Sequence, residues 1–237
     1  MRDPILFIPI LTTLIAVSFS GALLRRWRAK GGTHLLWWAG GTATYALGTA
    51  TEAAVTLFGW HAPLFRLWYI SGALLGGAPL AQGTVYLLLD RRTANRLTAA
   101  LVTVITVASV CVLLSPLRLE LVQPNHLTGR VLAWTWVRAF SPFINTYAFV
   151  FLVGGAALSA WRYARSETTA YRAVGNAFIA AGSLLPGIGG TFTRFGHTEV
   201  LYVTEFLGLC LLWVGYRYIT NRSPGVLHAD APIPVTD

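Results

Sequence analysis

Residues 5–30 read ILFIPILTTLIAVSFSGALLRRWRAK: an uncharged apolar run that ends abruptly in Arg25, Arg26, Arg28 and Lys30. Crossing the ~30 Å hydrocarbon core of a bilayer takes about 20 apolar residues in a helix, which is the length of the run from 5 to 24. The flank before it carries Arg2 offset by Asp3. Basic residues are retained on the cytoplasmic side, so this charge order places the N terminus outside and the basic end inside. Small residues at Ala16-Val17-Ser18 imitate a signal-peptidase site. The basic cluster after the run is nevertheless the pattern of an uncleaved anchor.

The same signature recurs along the chain. Further spans are expected at about 35–58, 65–89, 97–114, 142–161, 173–190 and 200–219, with an interfacial helix at 131–140. The first, third and fifth connections carry Arg25/Arg26/Arg28/Lys30, Arg91/Arg92/Arg96 and Arg162/Arg165/Arg172, and Arg217 and Arg222 follow the last span. The opposite side carries fewer basic residues, half of them in one long loop. Such alternation predicts an all-α, polytopic seven-transmembrane-helix bundle over 1–219, with its N terminus outside, its C terminus cytoplasmic and the cell membrane as its location. Residues 220–237 hold Pro224, Pro232 and Pro234 and few apolar side chains, and are expected to be a short disordered cytoplasmic tail. Tryptophans fall near both expected boundaries, as an aromatic belt would.

Composition agrees. Of 237 residues 55% are hydrophobic and 11% charged, against roughly 25% charged in soluble domains. The net charge of +9 is read as positive-inside excess, not as a nucleic-acid surface. Spans of this number leave no room for a kinase or cyclase domain, so signalling would require a separate membrane or signalling partner. Cys111 and Cys210 sit in apolar runs, where a thiol behaves as a small hydrophobe. The five histidines lie at span ends, in the long loop or in the tail, and no haem or zinc arrangement is expected. No other cofactor is indicated.

With only nine carboxylates in the chain, their depth is informative. Glu52 and Glu205 alone fall inside spans, each about 9 Å below the outer boundary at 1.5 Å per residue. An ionisable group facing lipid costs ~2.5 kcal/mol or more, so such groups turn inward and find partners. Asn145, Tyr147, Tyr69, Ser71, Tyr202 and Thr204 lie at similar depth, and Arg66, Arg138 and Arg194 at the outer rim. A ligand-binding cluster of Glu52, Glu205, Asn145, Arg66, Arg138, Tyr69 and Thr204 is therefore expected, open to the outside. A structural ion-pair network is the competing reading. Gln82, Tyr86 and Asn176 form a second, inner layer in which interhelical hydrogen bonding suffices. Pro79 and Pro186 are expected to kink their spans. The clustered glycines, including the Gly72/Gly76 pair, are expected to serve packing within the bundle.

Seven spans with an external N terminus resemble microbial rhodopsins and seven-helix receptors, but the last span has no lysine for a retinal Schiff base. SWEET-type sugar transporters share the topology in a three-plus-one-plus-three arrangement; their proline pattern is absent. The topology is also similar to the seven-helix sensor regions that precede bacterial histidine kinases. The expected function is binding of a small molecule or lipid from the outer side, as a sensor or accessory subunit. A small-solute transporter, or a lipid or isoprenoid enzyme using Glu52 and Glu205 as acid and base, are the alternatives.

Overall fold

A computed structural model describes residues 4–123 and 127–222. Residues 223–237, most of the expected tail, and the side chain of Arg194 lie outside the described residues. A 3-10 turn, Pro4–Phe7, leads into α1 (Ile8–Lys30). Gly31 and Gly32, both at positive φ, reverse the chain into α2 (Thr33–Phe58). Then follow α3 (Ala62–Trp68), a π-helical segment Tyr69–Leu75, α4 (Ala78–Leu88) and α5 (Arg91–Leu114). After a long loop come α6 (Phe140–Ala148), a second π segment Phe149–Gly154, α7 (Gly155–Tyr163), α8 (Ala170–Phe192) and α9 (Thr198–Asn221).

Five stretches are long and apolar enough to cross a membrane: Pro4–Lys30, Arg91–Leu114, Thr135–Tyr163, Glu167–Phe192 and Thr198–Asn221. The other two expected spans differ from these for a physical reason. Helix α2 has 26 residues, but its buried positions include Thr42, Thr49, Thr51, Glu52 and Thr56. It lies between α1 and α4, so much of its surface meets protein and not lipid, and low hydropathy is tolerated there. The expected span 65–89 is not one helix. It breaks at Gly76, whose φ of +33° suits glycine, and Gly76 N–H closes the π segment on the Ser71 carbonyl at 3.1 Å. Pro79 therefore opens α4 as one of its first residues, where its missing N–H is harmless, and kinks nothing. Pro186 does lie inside a continuous α8.

Small residues set the closest approaches. Gly175, Gly182 and Gly189 recur every second turn of α8, and Gly208 and Gly215 do so on α9. A Cβ on Gly182 would stand 2.6 Å from the Gly208 carbonyl oxygen, and one on Gly208 2.6 Å from that of Gly182. Such contact between backbones is how helices associate in lipid, where water exclusion contributes little. Gly72, expected to pack through a Gly72/Gly76 motif, instead meets Gly48 of α2, whose Cβ would lie 3.3 Å from Gly72 Cα.

The long loop between α5 and α6 is a folded plug. In place of the helix expected at 131–140 it forms 3-10 turns at Gly129–Val131 and Thr135–Ala139. It buries Leu127, Val131, Leu132 and Val137 against Phe65, Tyr69, Leu74 and Val112. One antiparallel bridge, Leu117 to Leu132, closes its base. Arg66 donates from Nη2 to the Ser115 carbonyl at 3.1 Å, and Ser115 Oγ accepts from Trp134 N–H at 3.2 Å. At the opposite end, Asp90 caps α5 by accepting from Thr93 N–H at 3.0 Å, and hydrogen bonds from the Thr93 hydroxyl and then its N–H hold the Asp90 carboxyl below the usual range.

Candidate functional site

Glu52 comes from the C-terminal half of α2 and Glu205 from the N-terminal half of α9. The two helices do not pack closely along their backbones; the acids occupy the space between them. Their carboxyl groups stand within hydrogen-bonding reach of each other. Trp68 Nε1 donates to Glu52 Oε1 at 2.9 Å, and Tyr45 reaches the Glu205 backbone carbonyl at 3.1 Å. The Oε2 atoms of both acids are buried, and no donor from another residue reaches either. Glu52 is only 3% exposed. Among the described residues neither carboxyl has an ion-pair partner: the ion pair formed there is the surface contact of His197 with Glu199.

Both acids line a cavity of about 1010 Å³, together with Tyr69, Asn145 and Arg138. Trp68, its ring centroid 6.0 Å from that of Tyr69, lines it too. The Trp68 ring holds Glu52, and Arg138 is near enough to act on the Tyr69 hydroxyl. The loop plug packs against Tyr69, since a Cβ on Gly129 would meet Tyr69 Cε2 at 2.8 Å. Both π segments contribute wall residues, Gly72 and Ala73 from the first and Phe149 and Val153 from the second. Such irregular turns recur at functional sites.

Of the seven residues expected to bind ligand, the cavity gathers Glu52, Glu205, Asn145, Arg138 and Tyr69. Arg66 stands apart, tethering the plug. Thr204 also turns away: its hydroxyl bonds the carbonyls of Val200 and Leu201, and its Oγ1 faces Gly189 on α8. Tyr147, expected at the outer layer, joins the inner one by donating to Gln82 Oε1. Gln82 Nε2 donates to Thr98 Oγ1 at 2.8 Å and the Ala94 carbonyl at 3.2 Å, and Tyr86 donates to Asn95 Oδ1 at 2.7 Å. Asn176 takes no part, bonding the Arg172 carbonyl on its own helix.

The residue that sequence reasoning missed is Trp68. Its position near the expected outer boundary fits an interfacial anchor, and no spacing signals that its N–H is turned to a carboxylate on the preceding helix. Lining by Ser141 and Ser183 was equally silent. No family model, curated protein or solved structure matches this chain, so the chemistry of the site is read from its own geometry.

Proposed function

We propose that this chain is a seven-helix protein of the cell membrane, N terminus outside and C terminus inside, that binds a cationic small molecule or lipid at the Glu52–Glu205 pair. It acts as a sensor or accessory subunit through a separate partner. The observation that carries this reading is the pairing of buried Glu52 with half-buried Glu205, whose Oε2 atoms are both shielded from solvent, with no cation of the protein's own. An ion-pair network serving only to fix helix packing would join these acids to an arginine, and it does not. A buried acid pair in low dielectric draws a positive charge strongly, and the unpartnered Oε2 atoms offer acceptors to an ammonium donor. Binding is favoured over passage because the inner layer is closed: Gln82 is fully buried and every polar atom of its amide is engaged.

The test is thermal unfolding of the purified protein in nanodiscs with hexylammonium or hexanol, which differ in charge and little in shape. A ligand bound only by the folded state stabilises it by ~2.7 kcal/mol at a hundred times its Kd. The ammonium is expected to raise the midpoint saturably, and the alcohol is not. The double variant Glu52→Gln/Glu205→Gln should lose the response. Equal shifts from both compounds, or none from the ammonium, overturn the reading.

Orientation has its own check. In a chain with Cys111 and Cys210 replaced by serine, Thr128→Cys should react with an impermeant maleimide on intact cells. Ser166→Cys should react only after lysis. The reverse pattern would invert the topology and move the acid pair to the cytoplasmic side.

A further inference from the structure

The cavity's lining carries charge of both signs: the acid pair without a cation and, from the loop before α6, Arg130 and Arg138, the latter without a carboxylate partner among the described residues. A simple amine would satisfy the first and leave the second. A ligand carrying an ammonium and a phosphate on one short headgroup satisfies both.

Helix α8 packs closely on α7 and on the second π segment but at most sparsely on α6, and the cavity lies between residues of α6 and α8. Along this gap α8 presents Gly187 and Gly190, and a Cβ on either would meet nothing within 4 Å. Their neighbours Gly182 and Gly189 are pressed against α9 and are explained by packing. Gly187 and Gly190 are not, and both line the cavity opposite Phe149 and Val153. Pockets that hold drug-sized ligands run to roughly 1,000 Å³, so this volume admits a headgroup together with the upper part of an acyl chain.

We infer that the ligand is a lipid with a phosphate–ammonium headgroup, taken sideways from the outer leaflet through the gap between α6 and α8. Its ammonium is held by Glu52 and Glu205, its phosphate by Arg138, and its chain lies along Gly187 and Gly190. This rests on the reading of the acid pair as a cation site. A phosphate binds well to a guanidinium because the charge-assisted hydrogen bonds are paired and directional.

The probes are phosphatidylethanolamine, phosphatidylglycerol and water-soluble phosphoethanolamine, with retention measured by native mass spectrometry after extraction. Wild-type protein is expected to retain phosphatidylethanolamine over phosphatidylglycerol. Arg138→Gln should reduce that retention about tenfold, equivalent to ~1.4 kcal/mol. Gly187→Leu should reduce it similarly by filling the chain path. Phosphoethanolamine without a chain should bind far more weakly than the lipid. Equal retention of the two lipids, an unaffected Gly187→Leu, or equal binding of the chainless compound overturns the inference. If these fail while the hexylammonium shift persists, the cation site stands and only its occupant is reassigned. If the shift fails too, the proposed function falls with it.

Discussion

Gly182→Leu is expected to leave almost no folded protein, while Gly187→Leu, five residues along the same helix, leaves the fold intact. The substituent is the same and the helix is the same. At Gly182 even a Cβ would stand 2.6 Å from the Gly208 carbonyl oxygen and 2.9 Å from Leu212 N. Both are backbone atoms, so no side chain can swing aside and α8 must separate from α9. Overpacking that rotamers can absorb costs ~1–3 kcal/mol. Here the loss extends to the whole interface and exceeds that range, against a total stability of ~5–15 kcal/mol. At Gly187 there is open space, and replacing glycine within a helix recovers up to ~1 kcal/mol of helix propensity. Fluorescence-detected size exclusion of membrane extracts, followed by the thermal midpoint of any monodisperse peak, reads the contrast. A wild-type midpoint for Gly182→Leu would show that the α8–α9 contact is not what holds this side of the bundle.

That contrast marks what one sequence makes legible. Clustered glycines point to close packing, but only the α8–α9 geometry shows which of them are pressed and which line a void. The first helix is legible because an unbroken apolar run and its basic end are local signals. The stretch 65–89 is not, because hydropathy averages across Gly76 and Gly77 and hides the break between the π segment and α4. Depth along a helix follows from a rise of 1.5 Å per residue, and depth alone brought Glu52 and Glu205 to the same level. Rotation about the helix axis does not follow, since helices facing lipid on one side and apolar neighbours on the other carry little amphipathic signal. Tyr147 and Thr204 were misassigned for that reason: each lies at the expected height and faces another neighbour. Arg66 shows a third limit, because a basic residue at the rim can bind a ligand or tie down a loop, and its partner, the Ser115 carbonyl, is invisible to side-chain patterns.

Glu205→Gln should stabilise the ligand-free protein, a sign opposite to that expected of a structural carboxylate. If the acids were there to hold α2 to α9, converting one to an amide would weaken a bond that the fold depends on. The geometry argues otherwise. Neither Oε2 atom meets a donor from outside the pair, so the two carboxyls satisfy each other only by sharing a proton, and an acceptor left without a donor costs ~1–3 kcal/mol. An amide at position 205 supplies an N–H to Glu52 Oε2 and removes one buried acid from a site with no counter-ion, while Trp68 keeps its bond to Glu52 Oε1. A gain of about 1–2 kcal/mol is expected, which for a chain of this size raises the midpoint by roughly 2–8 °C. Sites kept for binding commonly sacrifice stability in this way. Saturating hexylammonium should narrow the difference, because it stabilises wild type and leaves the amide variant, whose cation site is impaired, nearly unchanged. Thermal unfolding of both proteins with and without the ammonium measures all four states. A Glu205→Gln protein less stable than wild type in the absence of ligand would return the pair to a structural role, and the cavity would then need another occupant.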